Sequence, residues 1–591
     1  MKLKKILAVV LAMALLCMTF AACGDSSGSS SSSAASTGSE SSATSEAGES
    51  STADEGGSAA AGEVTLFTPK TVDASKNLNI RIGMEPTGLN SLLSTYANEF
   101  TILRHIYENL YVLDENNVPQ LGAAESVDIS DDETVYTFHL REDGVWTNGD
   151  PVTANDFAFA WQQALNPDVA SDYAYMLFFI KNAESYLNGE CEWEDVGIKV
   201  IDDLTLEVTL ERAVPYAPHM FTFGTLAPIN QSFYETVGAD NYNTEAEYFC
   251  TNGPFALTEW SHNSQIVLQK NDAFHGAGDI QVEQLTMKII TDGQAALTSL
   301  MSGELDYTDL TTGELVTQAE ANGYEVTSYS DGASFYMMVN CENQFLSNVN
   351  LRRALALGFD KQALIDTVFQ NENMPMTSFT APAVDGYDAT SFQEALNAKD
   401  GDLYPANGDV TQAQEYLNTA LEELGITLDE LNGQLSIDCG DSSSSQAEAA
   451  FYQEQWRQNL GLEVTINPMI TKQGADNRQN GNYCLSITGW SPDYNDPMTF
   501  LDMWVTDGGN NDTRWGSEEY DALIDSATNE TEDLAARQEY FYQAEEILAD
   551  QYIILPSYWR SASYTYNTNK ILGGLRNTTF QTNFAYVELA A

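Results

Sequence analysis

Nine residues hold the sequence's densest binding chemistry: Gly489, Trp490, Ser491, Pro492, Asp493, Tyr494, Asn495, Asp496 and Pro497. The preceding stretch, 483–488, reads as a buried strand. An aromatic ring, acids and two prolines therefore follow directly on a strand end. Ligand crevices in layered α/β proteins lie at such ends. A lone carboxylate there, Asp493, suits a cation. The same spacing also suits a rigid turn in which Asp493 caps the backbone.

Catalytic patterns are hard to find. The sequence has no GxSxG, HExxH, P-loop or GxGxxG. His105, His139, His219, His262 and His275 sit at no metal-ligand spacing. His139 falls within an alternating strand, where a hydrogen-bonded structural role is expected. With 87 acids, near pairs arise by chance and none is singled out as a glycosidase dyad. No enzyme activity, cofactor or metal is expected.

The elements that must position the loop alternate between strand and helix. Strand patterns fall at 79–83, 135–140, 204–210, 266–270, 285–290, 334–340, 462–467 and 552–555. Helical patterns fall at 100–113, 293–301, 351–358, 361–369, 447–460 and 534–550. Another helix opens at Thr153, with Asp156 three residues on as a variant capping box, and ends near Pro167. Asn148-Gly149-Asp150-Pro151 makes a tight turn before it. This alternation predicts an α/β layered protein. No inner linker marks a clean boundary, so the domains should be discontinuous.

The N-terminus carries a different chemistry. Lys2, Lys4 and Lys5 precede residues 6–20, which are apolar apart from Thr19. Ala21, Ala22, Cys23 and Gly24 follow. The pattern is that of a signal peptide, 1–22, with small residues before the cut and a thiol at the new N-terminus. It resembles a lipobox, with Phe20 where Leu is usual, and implies a diacylglyceryl group on Cys23. One lipid chain holds a protein only marginally, whereas two hold it stably. Residues 24–63 contain 15 Ser and no Lys or Arg. Such a composition buries too little apolar surface to order itself, so 23–63 is read as the lipidated Cys and a disordered tether.

Beyond it, at 43% hydrophobic overall, the chain can bury a large core. No later stretch is long and apolar enough to span a bilayer. The net charge of −62 repels phosphate backbones and argues against nucleic acid. Cys191, Cys250, Cys341, Cys439 and Cys484 are odd in number and form no CxxC, which argues against a disulfide framework and structural zinc. Most should be buried small hydrophobes.

Five ordered motifs resemble the extracytoplasmic solute-binding proteins of oligopeptide and dipeptide ABC importers. They are EPTGLN at 85–90, YTFHLREDGVWTNGDPVTANDFAFAW at 136–161, TNGPF at 251–255, RRAL at 352–355 and the loop at 489–497. The resemblance implies a two-lobed clamp of the type II periplasmic-binding kind, with an additional domain that enlarges the pocket. Lobe I would combine 64–107, 232–332 and 561–591. The additional domain would be 108–231, and lobe II 333–560.

The resemblance also implies a ligand: a short peptide with a free N-terminal amine, handed to the permease of an importer. Asp493 takes the family position that pairs with the amine. Ala97 and Gly489 take positions that hydrogen-bond the peptide backbone, while Trp490, Tyr494, Tyr173 and Arg478 match pocket positions. Some members bind a ligand carboxylate with Arg just before the Gly-Trp, where this chain has Ile487. Those members also carry a disulfide between positions matching Ala333 and Ser491, neither of which is Cys here. The protein is expected to be a monomer on the extracytoplasmic face of the cell membrane, lipid-anchored. Competing readings keep the fold and change the ligand to an oligosaccharide, a nickel complex or haem, or make the protein a peptide-sensing receptor without transport. An extracellular hydrolase would need a nucleophile–base pair that the sequence does not offer.

Overall fold

A computed structural model describes residues 67–388, 390–577 and 582–590. The expected signal peptide, Cys23 and tether lie outside them. The described residues belong to one compact unit.

Strand β1 (Asn77–Ile82) points Leu78, Ile80 and Ile82 inward by period-two alternation. Helix α1 (Ala97–Ile106) follows, with Ala97 exposed in its first turn. The fully buried Glu99 fixes that turn. Its Oε1 accepts from Thr87 N at 2.8 Å and Thr87 Oγ1 at 2.7 Å, and its Oε2 from Thr95 N at 3.0 Å. The EPTGLN segment is thereby tied to the helix start.

The helical pattern at 100–113 is interrupted. Tyr107 is extended, and 111–113 forms a short strand with 119–121. Asn252 explains the break: its Oδ1 accepts from Glu108 N at 3.0 Å and its Nδ2 donates to Glu108 O at 2.9 Å. A side chain distant in sequence thus takes the groups a helix would have used.

Strands β2 (Ala124–Ile129), β3 (Val135–Leu140), β4 (Ile198–Asp202) and β5 (Thr205–Thr209) form a separate antiparallel sheet ordered β2-β3-β5-β4. Helix α2 (Ala154–Ala164) packs on it, burying Phe157 and Trp161. The Asp156 half of the expected cap is present: its Oδ2 accepts from Thr153 N at 2.8 Å and also from Trp146 Nε1 at 3.1 Å.

The main sheet is built from β6 (Phe255–Ser261), β7 (Gln265–Lys270), β8 (Gln284–Ile289), β9 (Tyr307–Asp309), β10 (Val326–Val339), β11 (Ser436–Gly440), β12 (Thr465–Met469), β13 (Leu485–Trp490) and β14 (Ile554–Tyr566), together with β1. Its order is β12-β11-β13-β10-β14-β9-β1-β8-β7-β6, with the pair 374–375 on the side of β14. Of two long helices, α3 (Ser443–Leu460) packs on β11 and β12, while α4 (Leu534–Gln551) packs on the helix 518–529.

Strands β10 and β14 run through both halves of this sheet. Val326 to Ser330 pair with Thr565 to Ser561, and Ser334 to Met338 with Trp559 to Ile554. Between them the register shifts, and Gly332 takes φ +78°, a left-handed conformation in which a Cβ is strained. The expectation of a strand ending at 555 is corrected here. Strand β14 continues through Pro556, which opposes Tyr336 at a second register shift, so its missing N–H falls where the ladder is already irregular.

All five described cysteines are free; Cys250 and Cys439 are buried and the other three half-buried, fewer than expected.

Candidate functional site

Strand β13 delivers the 489–497 loop. Gly489 lies opposite Phe335, and a Cβ at 489 would come within 2.9 Å of that ring, itself stacked on Tyr558 at 5.1 Å. On its other side β13 pairs with β11 only through Leu485 and Ser486. Residues 487–490 therefore present an unpaired strand edge.

The loop side chains are committed one by one. Trp490 Nε1 donates to Thr499 O at 2.8 Å. Tyr494 is buried and stacks on Tyr216, with ring centroids 4.5 Å apart and planes 9° from parallel. Asn495 exchanges two hydrogen bonds with Asp385: its Oδ1 accepts from Asp385 N at 2.9 Å and its Nδ2 donates to Asp385 Oδ2 at 2.7 Å. Asp496 receives two guanidinium N–H groups from Arg537, at 2.7 and 2.9 Å, and accepts from Met498 N at 2.9 Å. Arg537 in turn lies over the Phe541 ring at 4.6 Å.

Asp493 is left over. The turn-capping role belongs to Asp496, and the Asp493 backbone N–H donates to Thr499 Oγ1 at 3.0 Å. Its carboxylate accepts one hydrogen bond, from Tyr175 Oη at 3.0 Å. Among the described residues it has no ion pair. It is only half-buried to solvent yet deep among protein atoms, a combination that a crevice produces. Burial pushes its carboxyl up to about 7, against the opposing pull of the Tyr175 hydroxyl. The crevice carries charge of both signs, since Arg104 and Arg576 line it as well.

Two cavities flank β13. One, of about 140 Å³, is lined by Asp493, Tyr494 and Asn495 from the loop, by Phe100, Leu103 and Arg104 from α1, and by Phe223 and Tyr111 from the smaller sheet's side. Tyr173 stands beside it, edge-on to Phe100 at 5.9 Å and stacked on Tyr175 at 5.7 Å. The other, of about 620 Å³, is lined by Ser486, Ile487 and Thr488 of β13 and by Arg478. That volume lies within the roughly 300–1,000 Å³ usual for small-ligand sites. Arg478 therefore sits in a different cavity from Asp493, near Ser486 Oγ at 3.4 Å and Asp512 at 3.9 Å.

Residues 118–512 match the family described as bacterial extracellular solute-binding proteins, family 5. The chain belongs to that family. The solute-binding protein is 33% identical over 499 residues to the oligopeptide-binding protein OppA of Bacillus subtilis, covering 83% of this chain and 89% of that one. It superposes on the substrate-binding domain of an oligopeptide ABC transporter from Bacillus anthracis with a TM-score of 0.77 at 31% identity, covering 88% of this chain and all (100%) of the other. OppA of Listeria monocytogenes, solved bound to peptide, gives 0.76 at 30% identity with coverages of 88% and 100%. The fold is the two-lobed type II clamp that the motifs imply.

Tyr175, whose hydroxyl donates to the Asp493 carboxylate, is not among the residues singled out from sequence. It sits in the 3₁₀ turn Ala174–Leu177, 318 positions away, and no pattern in sequence links the two. Of the nine tryptophans, Trp146, Trp161, Trp456 and Trp504 are fully buried core. No described helix is long and apolar enough to cross a membrane.

Proposed function

We propose that the protein captures short peptides by their free N-terminal amine and delivers them to an ABC-type importer. The carrying observation is Asp493: a half-buried carboxylate with a hydroxyl partner and, among the described residues, no ion pair, at the end of a strand with an open edge. A buried acid without a counter-charge is costly, and a protonated α-amine removes that cost. The 487–490 edge supports an added ligand strand held by its backbone, which leaves ligand side chains free to vary. Gly489 contributes backbone groups on that edge, and Ala97 on α1 faces the ligand from lobe I. Trp490, Tyr494 and Tyr173 shape the amine end of the pocket, and Arg478 the far end.

The lobes meet where β10 and β14 shift register near Gly332, and closure is a shift in population between open and closed arrangements. The additional domain is the part carrying the smaller sheet. Cys23 carries the lipid that keeps the clamp near its permease, and Cys23→Ala should release the protein into the medium. Calorimetric titration with matched free and N-acetylated tetrapeptides tests the central claim. Free peptides should bind and acetylated ones should lose at least ~10-fold in affinity, the scale of one charged hydrogen bond. Equal affinities would sink it.

A further inference from the structure

The larger cavity has a use that amine capture leaves unassigned. Its walls carry Asp309, Asp331, Asp438, Glu448, Arg478 and Arg560. Two of the acids are already neutralised: Asp309 accepts from Arg81 at 2.6 Å and Asp331 from Arg560 at 2.7 Å. Arg478 lies 3.9 Å from Asp512. Asp438 and Glu448 remain, at 3% and 5% exposure, with no cation on either.

Asp438 accepts only from neutral amides, Asn467 Nδ2 at 3.0 Å and Asn477 Nδ2 at 3.3 Å. Glu448 Oε1 accepts from Tyr452 Oη at 3.0 Å, and no hydrogen bond from the protein reaches its Oε2. Burial pushes Glu448 up to about 7. Asp438 stands in the middle of β11 and Glu448 in the second turn of α3, and both line the same cavity, so two rigid elements aim both acids at one space.

We propose that this cavity is a second anionic subsite, which takes a lysine or arginine side chain of the bound ligand between Asp438 and Glu448. The proposal rests on the peptide reading and goes beyond it. A ligand anchored at Asp493 and lying along β13 runs from Trp490 back towards Ser486. At about 3.3 Å per residue, its third or fourth residue reaches the cavity. An acidic side chain there meets two uncompensated carboxylates, and an aliphatic one leaves them unpaired. A cation satisfies both. The basic residues already in the cavity are engaged, so they supply no competing carboxylate site of equal strength.

The test is calorimetry with free-amine alanine tetrapeptides carrying lysine, norleucine or glutamate at the third position, each repeated at the fourth, in about 0.5 M salt to screen the long-range field. Lysine should bind at least ~10-fold tighter than norleucine, and glutamate weakest, as charge-assisted hydrogen bonds require. In Glu448→Gln and in Asp438→Asn the lysine-to-norleucine ratio should fall towards one. Because the ratio is internal to each variant, a general loss of affinity does not mimic it. If norleucine equals lysine at both positions, or the preference survives the double substitution, the subsite is wrong while amine capture stands. If no free-amine peptide binds, both readings fall together.

Discussion

Asp493 holds its charge at a cost, and that makes its chemistry pH-dependent. Its carboxyl stands at about 7 in the folded, ligand-free protein against an ordinary 3.8. For an acid raised in this way, stability is fully present below the unfolded value and is lost as pH rises through the folded one. Asp493→Asn should therefore stabilise the empty protein at neutral pH, by about 1–2 kcal/mol once solvent screening in the crevice is allowed for, and by nothing near pH 4. Thermal melts at the two pH values check this. Binding follows the opposite logic. In the proposed amine capture the ionised carboxylate is the binding form, and a peptide amine keeps its proton up to roughly pH 7.7–8.0. Affinity should climb to a maximum between about 7 and 8 and fall beyond it. In Asp493→Asn the rising limb should vanish and affinity near pH 7.5 should drop at least ~10-fold. A wild-type profile that is flat from about pH 5.5 to 7.5 would contradict the assignment. The residue type and its place at a strand end are readable in the sequence. Its freedom is not, because that depends on Tyr494, Asn495 and Asp496 each being held by partners more than 40 positions away or on another element.

At the scale of elements, the loop is rigid because α4 holds it. The Asp496–Arg537 pair is buried and bidentate, and it also caps the backbone at Met498. Removing one partner leaves the other charged and unpaired. Arg537→Leu should cost about 3–5 kcal/mol in denaturant unfolding and weaken peptide binding, since Asp493 loses its fixed position. The double variant Asp496→Leu/Arg537→Leu should recover much of the stability, as apolar replacements of buried pairs do, but not the affinity, because the Met498 cap goes with Asp496. Recovery of both would show that the clamp does not position Asp493. Most elements were legible because period-two and helical patterns are local. The failures were non-local. Asn252 ends the helix at 107 by taking its backbone groups, and β14 outlives Pro556 because its partner β10 is irregular there. Neither cause lies within the window in which a pattern is read.

At the scale of the whole molecule, the charge of −62 becomes a kinetic property. Residues 24–63 contribute only seven acids, so nearly all of the charge lies beyond them. A field of one sign over a concave, low-dielectric surface concentrates oppositely charged ligands and raises their association rate. Its reach is set by salt, at about 30 Å in 0.01 M and about 8 Å in 0.15 M. A tetrapeptide of net positive charge should therefore associate at least ~10-fold faster in about 0.01 M than in about 0.3 M salt. Its dissociation rate should change far less, because the proposed amine contact at the half-buried Asp493 is short-range and shielded from solvent by the crevice. A peptide of net negative charge should show the reverse trend in association. Stopped-flow measurements on protein lacking residues 1–63 should give the same slopes, since those residues carry little of the charge. Salt-independent association of the cationic peptide would mean that the surface charge serves only to keep the protein soluble. If the slope is present, the same acidity that argues against nucleic acid also biases the clamp towards basic peptides before any contact in the cleft is made.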